Sequence, residues 1–84
     1  MTVHLLYFAW VRERIGVQSE DIGLSAPLPI AELVERLKDR SPGHGLALAD
    51  PSRLRFALNQ AHVGRDAIVN PGDEVAIFPP VTGG

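Results

Sequence analysis

The stretch GDEVAIFPPVTGG, Gly72–Gly84, decides the reading of the fold. Side chains alternate along a strand, so Val75 and Ile77 share one face and Glu74, Ala76 and Phe78 the other. The preceding VNPGDE, with Pro71 and Gly72 in adjacent positions, is a strong turn signal. Pro79 and Pro80 favour an extended polyproline geometry and cannot continue a ladder, so the strand ends at Phe78. Beyond them stand Val81, Thr82, Gly83 and Gly84. Two residues without a Cβ can enter a channel too narrow for side chains. From Pro79 onward, six extended residues reach roughly 20 Å.

The opening stretch TVHLLYF mirrors that final strand. Val3, Leu5 and Tyr7 lie on one face, and His4, Leu6 and Phe8 on the other. A polar His4 marks the second face as the one toward water, with Leu6 and Phe8 as an exposed apolar strip. The segment WVRERIG suits a helical turn closed by Gly16, and QSEDIGLS a short polar edge strand.

PIAELVERLKDRSPG is the main helix. Ile30, Leu33, Val34 and Leu37 form one apolar stripe. Pro29 is expected at the first helical position, Glu32 and Arg36 can pair, and Ser41, Pro42 and Gly43 stop the helix. GLALAD suits a further helical turn. LRFALNQ is a strand, and Ala61–Val63 either continues it or forms a separate one.

One main helix against a small mixed sheet is an α+β domain over residues 1–84, with 79–84 as an extended tail. The order suits a β-grasp whose first and last strands lie parallel at the centre of the sheet. If the helix covers one side, Phe8 and Phe78 both fall on the other, near strand ends that parallel pairing brings together. Burying each ring against a partner contributes about 1.5–3 kcal/mol.

Composition narrows the function. The 84 residues contain no cysteine, which excludes disulfides and thiolate metal sites. A net charge of -2 with no basic run argues against nucleic acid and membrane surfaces as partners. No leader or spanning segment is readable, so a soluble cytoplasmic protein is the expectation. His4, His44 and His62 lack metal-ligand spacing and are expected in surface or loop positions. Arg12, Glu13 and Arg14 form a solvated helical face. Asp73 and Glu74 point to opposite faces and suit turn capping rather than acid–base work. Asn59 and Gln60 suit local backbone hydrogen bonds at a strand end.

No phosphate-binding loop or nucleophile context occurs, so catalysis is not expected from this chain alone. The group left for chemistry is the α-carboxylate of Gly84, a poor electrophile until activated. In most proteins a terminal Gly-Gly is a frayed end. Here stiff prolines and an apolar strip lead directly into it.

Three blocks carry a family resemblance: FAWVRERIG at Phe8–Gly16, ALNQ at Ala57–Gln60, and GDEVAIFPPVTGG. Together they resemble the small, sulfur-carrying subunits of molybdopterin synthase over nearly the whole chain. The resemblance implies a ubiquitin-like β-grasp. It also implies that an ATP-dependent adenylating enzyme activates Gly84, that a sulfurtransferase supplies sulfur, and that a thiocarboxylate results. The tail, with Gly83 beside Gly84, then enters the large synthase subunit and donates sulfur to cyclic pyranopterin monophosphate. Two sulfurs per pterin imply two charged carriers, and the expected assembly is a heterotetramer.

By the same resemblance Phe8, His62, Phe78, Pro79, Pro80, Val81 and Thr82 are partner-binding positions. ATP is consumed by the activating enzyme, and no cofactor is expected on this chain. His62 departs from an apolar residue in relatives, and Pro29 from a hydroxyl residue at the helix start. Terminal Gly-Gly alone is shared with thiamine-pathway sulfur carriers and ubiquitin-like protein modifiers, which stand as alternatives. Lys38, the sole lysine, gives little room for modifier chains.

Overall fold

The structure, a computed structural model, describes residues 1–80. Val81, Thr82, Gly83 and Gly84, assigned above to the tail, lie outside the described residues. The elements run β1 (Thr2–Tyr7), α1 (Ala9–Ile15), β2 (Ser19–Gly23), β3 (Leu28–Pro29), α2 (Ile30–Lys38) and α3 (Pro42–Ala47). A 3-10 turn at Pro51–Arg53 precedes β4 (Arg55–Leu58), β5 (Ala61–Val63), β6 (Ile68–Val69) and β7 (Glu74–Phe78). Five strands form a mixed sheet in the order β2-β1-β7-β4-β5. β1 and β7 run parallel, with Leu5 beside Val75 and Tyr7 beside Ile77. The other contacts within this sheet are antiparallel. This is the expected α+β, β-grasp arrangement.

Alternation builds the core. Val3, Leu5 and Tyr7 of β1, Phe56 of β4, and Val75 and Ile77 of β7 are buried on one face. α2 seals that face with Ile30, Leu33, Val34 and Leu37, the stripe read from its spacing. α1 is closed by Gly16, whose φ of 99° suits glycine and whose N–H donates to the Arg12 carbonyl.

Some local expectations need correction. Pro29 is the residue before α2 rather than its first, and it also pairs with Ile68 in a two-stranded ladder. No side chain caps this helix start. Instead the N–H groups of Ile30 and Ala31 donate to the carbonyls of Ala67 and Arg65, each at 2.9 Å. Backbone from a neighbouring segment satisfies donors that a hydroxyl would otherwise serve, so proline is tolerated.

α3 also starts before the expected turn, at Pro42. Ser41 caps it by accepting the His44 N–H, and Pro42 occupies a first-turn position that needs no N–H. Within α2 the ion pair is Glu35 with Lys38 at 2.6 Å, rather than Glu32 with Arg36. Exposed pairs of this kind are nearly interchangeable in energy.

Candidate functional site

The sheet face turned away from α2 carries the residues of interest. Register places Ala76 of β7 between Leu6 of β1 and Ala57 of β4, and Ala57 opposite His62 of β5. One step along β7, Phe78 stands opposite Arg55. The rings of His62 and Phe78 meet edge to face, with centroids 5.5 Å apart and planes at 74°. This geometry favours aromatic pairs. His62 thus packs against Phe78. Phe78 is half-buried, as are Pro79 and Pro80.

Phe8 closes the other side of this end. Its N–H donates to the Ile77 carbonyl at 3.2 Å, extending the β1–β7 ladder by one residue. Its carbonyl accepts from Val11 and Arg12 at the start of α1. The chain enters α1 through its first residue, Ala9, at a φ of 52° that disfavours a residue with a Cβ. Phe8 is therefore fixed by its backbone on both sides, while the residue remains 45% exposed. Phe8, Phe78 and His62 are brought to the end of the sheet from which Pro79 and Pro80 depart.

The lower part of the same face is polar. His4 Nδ1–H donates to Asp21 at 2.6 Å across β1 and β2. At the turn before β7, Asp73 accepts from the Asn70 N–H and the Asn59 amide. Asn59 exchanges bonds with the Glu74 backbone: its Oδ1 accepts the Glu74 N–H and its own N–H donates to the Glu74 carbonyl. These side chains tie the β4–β5 hairpin to β7, a longer reach than the local role expected for Asn59.

His44 overturns its expectation. Instead of a surface or loop residue it is a buried one, 7% exposed. Its Nε2–H donates to Glu20 Oε2 at 2.6 Å, and its Nδ1 faces the Ser41 hydroxyl at 2.7 Å. The Tyr7 hydroxyl donates to the same Glu20 oxygen, and Arg40 reaches the other at 3.2 Å. Burial opposes ionisation of Glu20. Hydrogen bonds from Tyr7 and His44, with the charges of His44 and Arg40, outweigh it and hold this carboxyl below its ordinary range. Burial, then the hydrogen bond to Glu20, pushes the Tyr7 hydroxyl far up. The network joins β1, β2 and α3 on the core side, away from Phe8 and Phe78. Only its polar residue types were visible in the sequence.

Among the described residues no cluster of His, Cys, Asp or Glu can hold a metal. No helix among them is long and apolar enough to cross a membrane.

The profile of the ThiS family matches residues 5–84. The molybdopterin synthase sulfur carrier subunit of Escherichia coli is 39% identical over 82 residues, covering 98% of this chain and 99% of the relative. That of Haemophilus influenzae is 41% identical, with 98% and 99% covered. Among solved structures, a putative molybdopterin converting factor subunit 1 from Pyrococcus furiosus superposes with a TM-score of 0.79 at 30% identity, covering 96% and 99%. The chain belongs to the ThiS family and is homologous to the sulfur carrier subunits of molybdopterin synthase over nearly all of their length.

Proposed function

We propose that this chain carries sulfur as a thiocarboxylate on Gly84 for molybdopterin synthesis in the cytoplasm. The observation that carries the reading is the joint placement of Phe8, Phe78 and His62 where Pro79 and Pro80 lead away from the sheet. A patch at the root of a tail can dock a partner while the tail reaches into it.

The chemistry assigned to each part is simple. An ATP-dependent adenylating enzyme converts the Gly84 carboxylate into an acyl-adenylate, making AMP a leaving group. Persulfide sulfur on a sulfurtransferase displaces AMP to give an acyl disulfide, and a thiol reductant cleaves it, releasing a disulfide and leaving the thiocarboxylate. The large synthase subunit then receives Val81, Thr82, Gly83 and Gly84 in a narrow channel. The thiocarboxylate sulfur attacks cyclic pyranopterin monophosphate, and water cleaves the resulting thioester, so that sulfur stays on the pterin and the carboxylate returns. A thiocarboxylate is a better nucleophile than a carboxylate, and it spares a chain without cysteine any need for a thiol.

Ordering the tail costs about 1–2 kcal/mol per residue. Pro79 and Pro80 lower that cost by restricting the free chain, and burial of Phe8 and Phe78 offsets much of the rest. Two carriers assembled with two large subunits would deliver the two sulfurs of one dithiolene.

The test is the intact mass of the chain purified without denaturation from its own source, then incubated with the adenylating enzyme, ATP and a sulfur donor. Replacement of one oxygen by sulfur is expected, and it should be lost on deletion of Gly84. A chain that carries no sulfur either before or after incubation in a fully active activation mixture would overturn the reading. A covalently attached target protein would favour a modifier instead.

A further inference from the structure

A second surface lies around the edge from Phe8. Trp10 and Arg14 of α1, Leu46 of α3, and Asp50 and Arg53 before β4 line a hollow of about 190 Å³. The Arg14 guanidinium sits 4.5 Å from the centre of the Trp10 ring, and that of Arg53 sits 5.5 Å from it. Two like charges thus converge on one indole. Neither forms an ion pair among the described residues. Asp50 shares the rim, but its Oδ1 already accepts from the Ser52 N–H and hydroxyl. With both guanidiniums set against this one carboxylate, the hollow stays cationic on a chain of net charge -2.

Its apolar part is unpartnered among the described residues. Leu46 is 65% exposed, although it stands beside buried Ala47. Tryptophan and arginine, which both line this hollow, are residue types that dominate protein–protein binding energy, and exposed Leu46 adds apolar surface beside them. Position points the same way. Trp10 lies two residues beyond Phe8, and Arg53 two residues before Arg55, the cross-strand neighbour of Phe78. Two separate segments therefore run from the patch at the tail root to this hollow.

We propose that the Trp10–Leu46 hollow, flanked by Arg14 and Arg53, is a second docking point for an acidic protein segment bearing an aliphatic anchor. The anchor packs on Leu46 and Trp10, while carboxylates meet the two guanidiniums. Its place beside the tail rests on the docking reading above, but its recognition chemistry does not.

Trp10 is the only tryptophan, so its fluorescence reports this site alone. The probe is the peptide acetyl-Leu-Glu-Asp-Leu-Glu-Asp-amide, titrated into the intact chain at low salt. A saturable emission change with a midpoint below about 1 mM is expected, weakening as salt screens the charges. The Arg14→Gln/Arg53→Gln double variant and Leu46→Asp, each checked for an unchanged melting temperature, should each weaken binding at least about tenfold, the equivalent of 1.4 kcal/mol. Phe78→Ala should bind the peptide as before. The absence of a saturable change, an equal response to the peptide with lysines replacing its acids, or undiminished binding by both variants overturns the proposal. No pterin enzyme takes part, so such a failure leaves the sulfur-carrier reading standing.

Discussion

Gly43 lets α3 lie against the end of α1. A Cβ built there would stand 2.3 Å from the Arg14 carbonyl oxygen, a backbone atom that cannot rotate away. Gly43→Ala must push two helices apart and should destabilise by about 1–3 kcal/mol. Thermal unfolding should show a fall of roughly 4–8 °C for each kcal/mol in a chain of this size. An unchanged melting temperature would mean the helices slide freely.

Gln60 is the opposite case. The hairpin between β4 and β5 turns through Asn59 at φ 50° and Gln60 at φ 72°, the pair of positive angles a tight two-residue turn requires. Left-handed backbone costs a residue with a Cβ about 1–2 kcal/mol, and glycine gives back about 0.5–1 kcal/mol through its freer unfolded chain. Gln60→Gly should therefore stabilise by roughly 0.5 kcal/mol, read as a raised denaturant midpoint at constant slope.

At the scale of elements, strand alternation and helical spacing made much of the fold legible. The buried set of β1, the stripe of α2 and the two faces of β7 follow from local pattern. What stayed hidden depends on contacts between distant segments. The carbonyls of Arg65 and Ala67 that serve α2 leave no mark near Pro29. His44 looks like a loop histidine until Glu20 and Tyr7 are placed beside it.

That network predicts a pH dependence. A carboxyl whose folded value is depressed adds stability above its unfolded range, and this is lost as pH falls through the folded value. Glu20→Gln should thus destabilise at pH 7, by about 1–3 kcal/mol for hydrogen bonds to a charged group. The gap between the two proteins should close as pH falls below about 4.3, where free glutamate protonates. Denaturant titrations across acid pH would show this. A gap that is constant with pH would deny the carboxylate its role.

Across the whole molecule, one sheet face is sealed by α2 and the other is offered at the tail root. The sequence separated the two faces by alternation and placed Phe8 and Phe78 together, but the His62–Phe78 contact needed the β4–β5 register. The Trp10 surface was half visible: Arg14 follows Trp10 by one helical turn, whereas Arg53 arrives from a different segment. This division of faces separates binding from folding. Val75 and Ile77 hold β7 to the core, so Phe78→Ala removes a half-buried ring from the opposite side. Losing about 1.5–3 kcal/mol of burial at a partner interface corresponds to roughly a ten- to hundredfold weaker complex. The variant should lose that much affinity for the large synthase subunit in calorimetric titration, while its own unfolding free energy falls by less than about 1 kcal/mol. The reverse pattern, an unstable protein that binds normally once folded, would place Phe78 in the core and move the docking surface elsewhere.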